Sequence, residues 1–241
     1  MTKRRTGSTI FFLILFTGLH GSGYAQSLVY SEIFGSDWQK ALTFIEENNS
    51  WIKPALAKHE IPYAEAVAII FPELVRYSAL RDKMEISLLK TLYRNLGDDY
   101  ADFSIGVFQV KPSFAEDIHN KVFAGTGKEL KSLFRKQSSF PDKRSYRASV
   151  IADLENPETE LNYIIAFYKI CEKRYKTDWA DETSKIKFLS TAYNTGILKN
   201  AGEIESMSDK KFFNTKLFKT ENYSYADVSL FWYNQHLFNN Q

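Results

Sequence analysis

Residues 59–78 read HEIPYAEAVAIIFPELVRYS. Pro62 suits the first turn of a helix, where its missing N–H has no partner to lose. From Ala64 to Ile70 the run is strongly apolar and helix-permissive, so this helix is expected to be buried on most sides. Pro72 is expected to end or kink it, which leaves Glu73 at the close of a buried apolar segment.

Helical patterns extend on both sides. Asp37 to Glu47 and Trp51 to His59 read as two short helices. Met84 to Leu96 carries Leu88, Leu89, Leu92 and Leu96 on one face, and Gly97 supplies a stop. Asn156-Pro157-Glu158 is a helix start, with an N-cap, a first-turn proline and acids near the positive end of the dipole. Leu161, Ile164, Ile165, Tyr168 and Cys171 then line one face. Thr183 to Tyr193 is another helix, ending at Asn194-Thr195-Gly196. The tail, residues 210–241, is rich in Phe and Tyr and is expected to pack back onto the fold. Two segments read as insertions: residues 76–98, and residues 121–150, where eight Lys/Arg face two Asp/Glu. No repeat, low-complexity tract or long linker divides the chain. The expected class is mostly α, a single domain, with at most a small irregular β element near residues 98–112.

The first 25 residues stand apart from this pattern. Lys3, Arg4 and Arg5 precede an apolar run from Ile10, and Gly23-Tyr24-Ala25 places small residues at −3 and −1 of a cleavage site, as in a secretory signal peptide. The apolar run is too short to span a bilayer, and no cysteine lies near it to carry a lipid anchor. The expectation is an exported protein, periplasmic or extracellular, starting at Gln26, with no membrane span after cleavage. The full chain carries 31 basic and 29 acidic residues; without the leader the balance is 28 to 29. Nothing in that balance argues for nucleic acid, and no nucleic-acid partner is expected. Cys171 is the one cysteine and reads as a small buried hydrophobe. No Cys/His cluster has metal spacing, so no metal site is expected.

Within the expected irregular segment, Ser104 to Pro112 reads SIGVFQVKP, with one uncharged amide, Gln109, in an apolar run. A buried amide without partners costs about 1–3 kcal/mol. Either the fold satisfies Gln109, or it faces a cleft.

Three features follow in order: Pro72-Glu73-Leu74 at the buried helix, Gly106-Val107-Phe108-Gln109 followed by Pro112, and Ala192-Tyr193-Asn194-Thr195-Gly196. Together they resemble the lysozyme-like soluble lytic transglycosylase family, which includes goose-type lysozymes. In that family a catalytic Glu closes an apolar helix. A Gly-Leu-Met-Gln stretch with a following Pro lines a sugar cleft; here Phe108 holds the Met position. An Asn-Pro-type helix start and an Ala-Tyr-Asn-x-Gly motif come next. The resemblance covers roughly residues 50–200. The chain has Leu74 where the family carries Ser, and 36 residues separate Glu73 from Gln109, more than is usual there.

The resemblance implies a lysozyme-like domain with a cleft that cleaves peptidoglycan glycan strands. Glu73 is implied as general acid and base, with no metal or organic cofactor needed. Gln109, Phe108, Gly106, Tyr193 and Asn194 are implied as substrate-binding residues, with Phe108 as apolar wall. The implied outcome is a 1,6-anhydro-N-acetylmuramic acid end, formed by attack of the sugar's own 6-hydroxyl. Asp98, Asp99 and Asp102 lie where goose-type enzymes carry acids that position water, so a hydrolase is the alternative. A glycan-binding envelope protein that keeps the cleft without the chemistry is another. The basic residues Lys128, Lys131, Arg135, Lys136, Arg144 and Arg147 read first as a solvated surface, and second as an attractor of stem-peptide carboxylates.

Overall fold

A computed structural model describes residues 29–79, 85–125, 127–175, 179–215 and 221–237. The expected signal peptide lies outside the described residues.

The run that opens the sequence reading becomes helix α3, Tyr63–Ala79, after α1 (Tyr30–Phe34) and α2 (Ser36–Lys58). Every residue of α3 from Ala66 to Val75 except Pro72 and Glu73 is an apolar side chain at most 2% exposed. A helix apolar on all sides must be covered on all sides. The cover comes from α2, from α7 (Pro157–Tyr175), from α8 (Glu182–Thr195) and from α10 (Tyr225–Leu237). A polar tie crosses this contact: Tyr168 of α7 donates to Glu65 of α3, and Lys185 of α8 reaches both, at 2.8 Å and 2.6 Å.

Pro72 does not end α3, which continues for seven residues beyond it. A proline inside a helix removes one backbone hydrogen bond and crowds the carbonyl four residues back. Here tertiary contacts carry the chain through. The Tyr225 hydroxyl donates to the Ile69 carbonyl beside the gap at 2.9 Å, and Phe71 packs between Trp38 and Trp232. The two short helices expected before α3 are likewise one helix, α2. Trp38, Ala41, Ile45, Ile52 and Leu56 share its buried face, and the Asn48–Ser50 stretch stays helical. Asn48 bonds the Phe44 carbonyl and receives the Trp51 indole N–H, while Tyr63 bonds Asn49.

Helix α4, Glu85–Leu96, forms where the leucine pattern places it, but Leu88 and Leu96 are exposed and Tyr93 is its buried anchor. The basic 121–150 segment, read as an insertion, is helical at both ends. Its start belongs to α5, Pro112–Ala124, and its end is α6, Lys143–Glu155, capped by Asp142. Short 3-10 turns join them. His119 of α5 ties this region together between the hydroxyls of Tyr146 and Tyr163, at 2.6 and 3.1 Å. Burial pushes its pKa down to about 4, so the ring is neutral.

After α8 and the short α9 (Ala201–Glu205), the aromatic tail folds onto the core, as expected. It forms β1 (Lys211–Phe213) and β2 (Tyr223–Ser224), an antiparallel pair, before α10. This pair is the β-sheet among the described residues. The 98–112 segment contributes only a single bridge, Ile105 to Val110.

Candidate active site

Glu73 projects from the middle of α3 and is 4% exposed. Arg76, one turn on, donates through a single nitrogen, Nη1, to both Glu73 carboxylate oxygens, at 2.8 and 2.9 Å. Two influences oppose each other. Burial disfavours the charged carboxylate, while Arg76 and, more weakly, Lys111 favour it. Burial wins, and the pKa rises from 4.5 to about 7. The guanidinium is itself partly open to water, with 23% of its side chain exposed, which weakens its hold.

The sign of the resulting pH dependence is fixed. Between pH 4.5 and about 7 the folded chain holds a proton on Glu73 that the unfolded chain has lost. The stability this contributes is full below 4.5 and is lost as pH rises through about 7. Glu160, also pushed upward by burial, acts in the same sense. His119 opposes this between about pH 4 and 6.5, where its folded ring stays neutral while the unfolded ring binds a proton. The share of Glu73 is read by difference: from about pH 5 to about 8 the thermal midpoint of the wild type is expected to drop relative to that of Glu73→Gln. Circular dichroism melts would contradict this if the two proteins shared one pH profile.

The second component is the loop from Ile105 to Val110. Gly106 has φ +77° and Gln109 φ +56°. A left-handed non-glycine costs about 1–2 kcal/mol, so the surroundings must hold it there. They do so from two helices. Glu160 of α7, 0% exposed, accepts from the amides of Phe108 and Val110 through Oε1, at 3.1 and 3.4 Å. Tyr193 of α8 donates its hydroxyl to the Phe108 carbonyl at 2.8 Å. The Gln109 side-chain amide closes the loop on the Gly106 carbonyl at 2.7 Å. Gln109 is thus partly satisfied by its own loop and also lines a pocket.

Phe108 stands in the core rather than in the pocket wall. With its amide held by Glu160 and its carbonyl by Tyr193, its ring is 0% exposed and packs edge-on against Phe44, centroids 6.2 Å apart. Gly106 also lies off the pocket lining. Its part is to let the buried Glu160 carboxyl and the Leu154 carbonyl approach the loop.

Glu160→Gln is expected to keep this loop, because the amide oxygen can accept the same two N–H bonds. Glu160→Ala strands both buried donors and is expected to cost about 3–5 kcal/mol. Urea unfolding of the two variants checks the difference; equal losses would mean that the carboxyl does not hold the loop.

The pocket has a volume of about 310 Å3 and brings together Glu73, Gln109, Tyr193 and Asn194, four of the six residues assigned to catalysis or binding. That size sits at the low end of the roughly 300–1,000 Å3 usual for ligand sites. Of the three candidate water-positioning acids, Asp102 lines the pocket, held by Lys111 at 2.9 Å and Ser113 at 2.7 Å. Asp98 and Asp99 do not line it. None of the six basic residues singled out in the 121–150 segment lines it either; Arg135 lies over Phe140 and Arg147 over Tyr93.

Two groups at the site were not expected from the sequence, Arg76 and Glu160. Arg76 was legible as an i, i+3 partner of Glu73. Glu160 falls in helical phase with the apolar Ile164, Phe167 and Cys171, which was the signal that it faces inward. Among the described residues no helix is long and apolar enough to cross a membrane, and no group of three or more His, Cys, Asp or Glu is placed to hold a metal ion. Comparison of the chain with family models, with curated proteins and with solved structures found no match.

Proposed function

We propose that the chain is an exported peptidoglycan lytic transglycosylase of lysozyme-like type that cleaves the bond between N-acetylmuramic acid and N-acetylglucosamine. The observation that carries this reading is Glu73: a buried carboxyl with a pKa pushed to about 7, in one pocket with Gln109, Tyr193 and Asn194. A general acid for glycoside cleavage must hold its proton near neutral pH, and burial supplies that condition.

In the proposed reaction the Glu73 acid gives its proton to the glycosidic oxygen as the bond from that oxygen to the anomeric carbon breaks. The leaving sugar departs with a new hydroxyl. The substrate's N-acetyl oxygen shields the anomeric carbon meanwhile. The Glu73 carboxylate then takes the proton of the sugar's 6-hydroxyl as that oxygen closes on the anomeric carbon, giving the 1,6-anhydro ring and restoring the acid. Gln109 and Asn194 provide amides to orient the N-acetyl sugar.

A second reading, hydrolysis, is favoured by Asp102, a carboxylate in the same pocket with two fixed partners. Mass spectrometry of the products separates the two. Muropeptides ending in 1,6-anhydro-N-acetylmuramic acid support the transglycosylase. Reducing ends, heavier by one water, support the hydrolase and predict that Asp102→Asn abolishes cleavage.

A further inference from the structure

Arg76 is only half used by Glu73. Both of its bonds to that carboxylate leave from Nη1. A guanidinium has five N–H donors, so three of them, on Nη2 and Nε, have no hydrogen-bond partner among the described residues. The group lines the pocket, and its carbon lies over the Phe213 ring, 4.7 Å from its centre. The neighbouring charges narrow what the spare edge can take. Lys111 is neutralised by Asp102, whereas Lys199 lines the pocket with no carboxylate partner among the described residues. Glu73, Asp102 and Asp117 line the same pocket. Those acids disfavour a multiply charged anion such as a phosphate ester, while a planar monoanion matches the spare edge of the fork in both shape and charge.

We propose that Arg76, aided by Lys199, reads a carboxylate carried by the glycan substrate, through the guanidinium donors that Glu73 leaves unused. This deepens, and rests on, the reading of the pocket as a peptidoglycan site. It makes Arg76 a specificity-determining residue that separates carboxylate-bearing glycans from neutral ones. Two parts of peptidoglycan supply such a carboxylate: the lactyl ether of an N-acetylmuramic acid without a peptide, and the stem peptide.

The test is equilibrium binding by calorimetry, using the full chain with the Glu73→Gln substitution so that nothing is turned over. Two ligand pairs separate the sources. The first is the N-acetylglucosamine–N-acetylmuramic acid tetrasaccharide with free lactyl carboxylates, against its methylamide. The second is the disaccharide–tetrapeptide, against the same molecule with its peptide carboxylates methylamidated. In at least one pair the free acid is expected to bind about tenfold more tightly, and the pair that shows it identifies the source. Adding Arg76→Gln is expected to bring that ratio to about one. Arg76→Lys, which keeps the charge without the fork, guards against loss of the fold and is expected to reduce the preference at least about threefold. Equal affinities in both pairs, or a preference undiminished in the Arg76 variants, overturn the assignment. Turnover decides the other matter separately. A carboxylate preference that depends on Arg76, in a chain whose wild type cleaves no glycan, sinks the catalytic reading and leaves this one standing.

Discussion

Glu73→Gln is expected to lower the rate of peptidoglycan cleavage by about 10²–10⁴-fold, toward the upper end of what a general acid contributes, because one carboxyl serves as acid and then as base. The fold should survive. Gln has nearly the shape of the protonated acid, and the protonated acid is the form that burial favours below about pH 7. The change also removes a titrating group, so from about pH 5 to about 8 the variant should gain stability relative to the wild type. At about pH 8 the wild-type carboxylate sits buried beside Arg76, whereas the variant buries no charge at this position. The decisive measurement pairs product formation with a thermal melt of the same sample. A folded Glu73→Gln protein with undiminished turnover would remove Glu73 from the mechanism and the proposed function with it. In the wild type, kcat/KM should fall as pH rises past about 7, where the general acid loses its proton.

Local pattern marks the elements that carry the site, while the roles of Glu73, Tyr193 and Asn194 rest on the family resemblance. The apolar run from Ala64 marks a helix covered on all sides. The isolated amide of Gln109 marks a loop with business in a pocket. The Ala192–Gly196 segment marks a helix end, and α8 does end at Thr195. What could not be read depends on partners distant in the chain. Pro72 alone says that a helix ends or kinks. It continues inside a packed surround, where Tyr225, 156 residues from Ile69, bonds the carbonyl next to the one that Pro72 leaves without its amide. The resemblance makes Phe108 a wall for sugar. It turns inward because Glu160 and Tyr193 have already fixed the backbone on both sides of it. Glu160 reads as one more acid in the first turns of a helix, where acids are ordinarily solvated. Only its phase with the apolar face of α7 gives it away.

The same interlock predicts the most fragile position of the site. Gly106 holds φ +77°, and a Cβ built there would stand 2.2 Å from the Leu154 carbonyl oxygen and 2.3 Å from Glu160 Oε2. Neither neighbour can yield cheaply. The Leu154 carbonyl is backbone at the end of α6, and the Glu160 carboxyl holds the Phe108 and Val110 amides through its other oxygen. Gly106→Ala therefore combines left-handed strain, about 1–2 kcal/mol, with overpacking of about 1–3 kcal/mol, and is expected to cost about 2–5 kcal/mol in all. Gly97→Ala is the control. Its φ of +105° carries a comparable strain, but its nearest contact, at 2.5 Å, is the far end of the Arg147 side chain, which can swing aside. Urea unfolding should rank Gly106→Ala well below Gly97→Ala. Any folded Gly106→Ala protein should also lose glycan affinity, because the only way to admit the methyl group is to lift the loop off Glu160, and that loop carries Gln109. Equal stabilities for the two variants would mean that the loop rests less tightly on Glu160 than its hydrogen bonds require, and Gln109 would then owe its left-handed backbone to something other than this clamp.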